Sequence, residues 1–94
     1  MHFEWQRLLT DFQPHLEMIE RSLIGANYQP SPELVMRAFL QPPAAIKVVI
    51  LGQDPYPNSN HAIGLAFAVP PETSPLPPTL RNILAELATD LGAD

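Results

Sequence analysis

Ile46-Lys47-Val48-Val49-Ile50-Leu51-Gly52-Gln53-Asp54-Pro55-Tyr56-Pro57 is the stretch that decides how this chain is read. Its first half is β-branched and continuously apolar apart from Lys47, the composition of a strand covered on both faces. Its second half is a turn stiffened by two prolines. An acidic residue thus leaves a buried strand at the carboxyl end, where open α/β sheets place their chemistry.

On the amino-terminal side, Trp5, Leu8, Leu9, Phe12, Leu16, Ile19 and Leu23 recur at three- and four-residue steps, the stripe of a core-facing helix. Pro14 suits a first helical turn and not a helix interior, so the pattern predicts two helices, about 3 to 12 and 14 to 24. Ser31-Pro32-Glu33 reads as a third helix start with Ser31 as N-cap, and Leu34, Val35, Ala38 and Phe39 as its inner face. Trp5, Phe12, Met18 and Met36 are expected in the core.

On the carboxyl side, Gly64-Leu65-Ala66-Phe67-Ala68-Val69 predicts a second short strand or extended segment. Prolines at 70, 71, 75, 77 and 78 make the next stretch stiff. Thr79 is the expected cap of a final helix with Leu80, Ile83, Leu84, Leu87 and Leu91 on one side. The order of elements predicts an α/β class, a mostly parallel sheet flanked by helices.

At 94 residues, 46% of them hydrophobic and none of them cysteine, the chain has room for one thin core. Either such a domain is marginal or something else completes it. No run is long and apolar enough to span a bilayer, and the first residues lack the pattern of a secretion signal, so a cytoplasmic location is expected. A net charge of −5 argues against a general nucleic-acid binder, because affinity for phosphate comes largely from Lys and Arg. DNA contacts would then fall to amides, hydroxyls and shape. His, Asp and Glu show no metal-ligand spacing, and His2 and His15 carry no pattern.

Asp54 is the leading candidate for chemistry, since Pro55 fixes its backbone and Tyr56 sets an aromatic wall beside it. Plainer readings exist for each residue singled out. Asp54 could be a turn-capping residue, Tyr56 a surface aromatic, Phe67 part of a core, and residues 70–78 a rigid linker.

Taken together, Gly52-Gln53-Asp54-Pro55-Tyr56 resembles the water-activating loop of the family-1 uracil-DNA glycosylases. The resemblance continues through Val48-Val49-Ile50-Leu51, Gly64-Leu65-Ala66-Phe67-Ala68-Val69, and Pro75-Leu76-Pro77-Pro78-Thr79-Leu80 with Asn82-Ile83 and Glu86-Leu87, over about residues 32 to 92. It implies an enzyme that hydrolyses the N-glycosidic bond between uracil and deoxyribose in DNA, in base excision repair, without metal or cofactor. Asp54 is then the catalytic carboxylate, Tyr56 the wall against the C5 methyl of thymine, and Phe67 the stacking ring. The backbone amide of Gln53 binds a uracil carbonyl, and Pro75, Pro77, Pro78 and Thr79 meet the DNA backbone. The implied partners are uracil-containing DNA and a protein inhibitor, with a monomeric full-length protein and no membrane.

Pro57 and Ile63 stand where many members of that family have histidines, with His61 nearby. No segment resembles the later Asn-bearing strand that reads uracil or the His-Pro-Ser loop that serves the leaving group. The expectation is therefore that residues 1–94 are the amino-terminal part of one such α/β domain and nearly inactive alone. The alternative is a non-catalytic DNA- or protein-binding fragment or a degenerate homologue.

Overall fold

His2 opens the first helix. In this computed structural model, which describes residues 1–92, its Nδ1 accepts the Glu4 amide at 3.2 Å and so caps α1, Phe3–Leu8. A single 3₁₀ turn, Thr10–Phe12, follows. Then α2, Gln13–Leu23, carries its proline in the first turn, where the missing N–H costs nothing. The two-helix expectation holds, with α1 shorter than expected. The Trp5 indole donates to the Gln41 carbonyl at 2.6 Å and meets Phe39 edge to face at 5.1 Å, tying α1 to residues 37–41.

Residues 31–45 do not form the helix that the Ser-Pro-Glu start predicts. They make three separate 3₁₀ turns, Pro32–Leu34, Arg37–Leu40 and Pro43–Ala45. Ser31 does not cap; its hydroxyl donates instead to Glu33 Oε1 at 2.8 Å. The last helix, α3, runs Pro78–Leu91 and ends at Gly92 in the left-handed conformation that favours glycine at this position. Its N-cap is Pro77, not Thr79, which lies inside the first turn.

The expected sheet is absent among the described residues: neither 46–51 nor 64–69 is a strand. For residues 46–51 the cause is pairing. A strand exists only through hydrogen bonds to a neighbour, and no described segment lies beside this one as a strand. Its side chains consequently face solvent, with Val49 78% and Leu51 92% exposed. For residues 64–69 the cause is a turn, described below.

Core assignments fare unevenly for the same reason. Trp5 and Met36 are half-buried, but Phe12 and Met18 are exposed, because α2 finds no broad opposing surface among the described residues. Among the described residues only Pro30 and Ala62 are buried, and both border the cleft that the turn at 52–57 helps to form. No described helix is long and apolar enough to cross a membrane.

Candidate active site

Two short segments are clamped together to make one wall. The Arg37 guanidinium donates to the Ile63 carbonyl at 3.0 Å. One residue on, Gly64 has φ +86, and a Cβ there would overlap the Leu34 carbonyl oxygen. Only glycine permits both the backbone angle and the approach. Residues 62–64 are thereby pinned against the turns at 32–40.

The chain then reverses. The Ala68 amide donates to the Leu65 carbonyl at 3.1 Å, closing a four-residue turn. Phe67 takes its third position with φ +64, where glycine is the usual occupant. For an aromatic residue that conformation costs about 1–3 kcal/mol and needs support from its surroundings. Tyr56 supplies one such support by donating its hydroxyl to the Phe67 carbonyl at 2.8 Å. The Phe67 ring in turn lies over Gly52, 3.9 Å from where a Cβ would stand.

These contacts fold the turn at 52–57 onto the reversal at 65–68 and enclose an open cleft of about 690 Å³. Residues 52–57 and 62–67 line it, joined by Pro30, Val35 and Thr79. Asp54 is the one charged side chain of that lining. It is exposed, and the Gln53 side-chain amide donates to its Oδ2 at 3.2 Å. His61 stands behind Tyr56, edge to face at 5.8 Å, outside the lining.

Gln53, Asp54, Tyr56, Phe67 and Thr79, all singled out in the sequence, meet at this cleft. Pro75, Pro77 and Pro78 do not line it; Pro75 and Pro77 precede α3 and Pro78 is its first residue, and there the Arg81 guanidinium donates to the Leu76 carbonyl at 3.1 Å. Sequence reasoning missed Pro30, Val35 and the Arg37 clamp. Nothing local in the sequence signals them, because their roles arise from residues distant along the chain, as between Arg37 and Ile63, 26 residues apart.

A cleft of this size, lined by two aromatic side chains and one carboxylate, is of the class that receives a small ligand. Relatives narrow the class. No family model matches the chain. A uracil-DNA glycosylase of Nocardioides sp. is 46% identical over 94 residues, taking in 95% of this chain and 41% of the relative. One of Mycobacterium avium is 44% identical over 96 residues, 94% of this chain and 41% of the relative. Uracil-DNA glycosylase 1 of Streptomyces coelicolor is 54% identical over 67 residues, 71% of this chain and 30% of the relative. The chain is thus similar over most of its length to uracil-DNA glycosylases and spans about two fifths of the length of these first two relatives.

Proposed function

We propose that this chain carries the catalytic turn and the base-stacking wall of a uracil-DNA glycosylase, an enzyme that breaks the bond between uracil and deoxyribose in DNA. The observation that carries the reading is that Asp54, Tyr56 and Phe67 border one cleft. In the proposed reaction an extruded deoxyuridine enters the cleft and stacks on Phe67. Stacking on an aromatic side chain is worth about 1–3 kcal/mol and is indifferent to the base. Selection against thymine falls to Tyr56, whose half-buried ring is held by the Phe67 carbonyl and cannot swing away from a C5 methyl.

As the glycosidic bond lengthens, positive charge develops on the sugar, and the Asp54 carboxylate stabilises it and orients a water towards C1′. Water adds to C1′ and uracil departs. The Gln53 amide is assigned to a uracil carbonyl. Thr79, in the first turn of α3, offers its hydroxyl and a helix-start amide to a phosphate, with Pro75, Pro77 and Pro78 as a rigid approach. That mode of contact suits a chain of net charge −5.

Residues 1–94 by themselves are proposed to turn over slowly or not at all. Among the described lining residues the side-chain donors are Gln53, Tyr56 and Thr79, and the first two are engaged with Asp54 and Phe67. A departing uracil anion needs free, preorganised donors. In the full-length protein, residues 46–51 are proposed to pair into a mostly parallel sheet flanked by helices. We extend the reading to a cytoplasmic monomer that a protein inhibitor can block, on the strength of the similarity to uracil-DNA glycosylases alone.

The test is a chimaera in which this chain replaces the matching part of the Nocardioides enzyme. It should release uracil from a uracil-containing oligonucleotide, and Asp54→Asn should lower the rate by about 10²- to 10⁴-fold while sparing DNA binding. A chimaera unaffected by Asp54→Asn would falsify the assignment. Turnover by residues 1–94 near that of the whole Nocardioides enzyme would refute the need for further donors.

A further inference from the structure

We infer that the Tyr56 hydroxyl is a positioning group: it holds Phe67 in its left-handed backbone conformation and thereby sets the ring that forms the cleft floor. Three observations meet at this point. Phe67 has φ +64 and is the one described non-glycine residue with positive φ. Its carbonyl accepts the Tyr56 hydroxyl at 2.8 Å across eleven residues of chain. Its ring is seated over Gly52, the first residue of the turn that carries Asp54 and Tyr56.

The physical argument is one of over-determination. A phenylalanine in the left-handed region relaxes unless other contacts oppose it. The turn hydrogen bond from Ala68 to Leu65 closes the reversal but is shared by turn types in which the third residue has negative φ. The Tyr56 bond differs, because rotation about Phe67 swings its carbonyl away from the hydroxyl. Loss of that bond frees the backbone to relax and lifts the ring from Gly52. Wall and floor of the cleft are therefore one mechanical unit, and Tyr56 acts on a bound ring twice: by its own edge and, through Phe67, on the face.

The backbone claim stands apart from any reading of substrate; only its consequence for ligand rests on the uracil-DNA glycosylase proposal. In ¹⁵N-labelled residues 1–94 the Phe67 amide should show the short amide-to-Hα distance of positive φ. The Tyr56 hydroxyl proton should be protected from exchange and lie close to Ala68. Tyr56→Phe should abolish the positive-φ signature, and Tyr28→Phe, at the only other tyrosine, should leave it intact. In the chimaera, Tyr56→Phe keeps the ring and should raise KM for a uracil-containing oligonucleotide by about fivefold, the usual worth of one hydrogen bond, with a smaller change in kcat. A positive φ that persists in Tyr56→Phe overturns the proposal. So does an unprotected hydroxyl in the unmutated chain, a measurement that does not depend on the variant folding. A lost signature with unchanged KM would leave the positioning role standing and count against Phe67 as the stacking ring.

Discussion

Gly64 and Gly25 share a backbone conformation, with φ +86 and +76, but not an environment. At Gly25 a Cβ would meet nothing, so Gly25→Ala should cost only the left-handed preference, about 1 kcal/mol. At Gly64 the same atom would overlap the Leu34 carbonyl and crowd Arg37, so Gly64→Ala should cost more than about 2 kcal/mol and open the cleft. Thermal unfolding followed by Trp5 fluorescence separates the two; equal losses would contradict the clamp. Glu33 offers a local pH test. Its own backbone amide and then the Ser31 hydroxyl hold its carboxyl below the usual carboxylate range. A lowered folded pKa contributes stability above the unfolded pKa that is lost as pH falls through the folded one. Ser31→Ala should move the Glu33 titration upward towards the ordinary value, read by ¹³C NMR of its carboxyl.

At the scale of elements, legibility followed locality. The start of α2 could be read because proline in a first turn acts through its own ring and missing N–H, whereas α3 begins at Pro78 with Pro77 as N-cap, two residues ahead of the cap expected at Thr79. Residues 46–51 read as a strand in the sequence but do not form one, because β structure is a property of a pair and this segment has no described partner. The turn at 65–68 was hidden for another reason: the sequence alternates as a strand would, and no glycine marks the third position that Phe67 occupies. The cleft itself was partly legible. Asp54 and Tyr56 belong to the turn and announced themselves, whereas Arg37 acts only through its contact with Ile63. That contact is the one side-chain bond joining the 3₁₀ turn Arg37–Leu40 to the cleft wall among the described residues. Arg37→Met keeps much of the stem and removes the donor, and a bond from a charged group is worth about 1.5–3 kcal/mol. Amide exchange should accelerate at residues 63–66 while α2 and α3 keep their rates. Uniform acceleration would mean that Arg37 supports the whole molecule instead of this junction.

At the scale of the molecule, surface area is the decisive quantity. A compact protein of 10.4 kDa exposes about 5,400 Å², whereas this chain exposes 7681 Å². Its radius of gyration, 15.6 Å, likewise exceeds the roughly 12 Å of a packed domain of this length. The exposed large apolar residues are spread over the chain, and they include two sets for which the pattern promised burial: Val48, Val49, Ile50 and Leu51 in a row, and Ile83, Leu84, Leu87 and Leu91 along α3. An uncovered extended apolar segment with unpaired amides is a template for association. Opposing it is a net charge of −5, whose repulsion between chains is screened by salt. Residues 1–94 should therefore sediment close to 10.4 kDa at low concentration and low ionic strength, and gain mass as either rises. Val48→Lys together with Ile50→Lys should return the chain to the monomer mass at high salt, although the two lysines cut the net negative charge and so weaken the repulsion. That sign is what makes the variant informative: if charge repulsion governs, the double variant associates more, and if the exposed segment governs, it associates less.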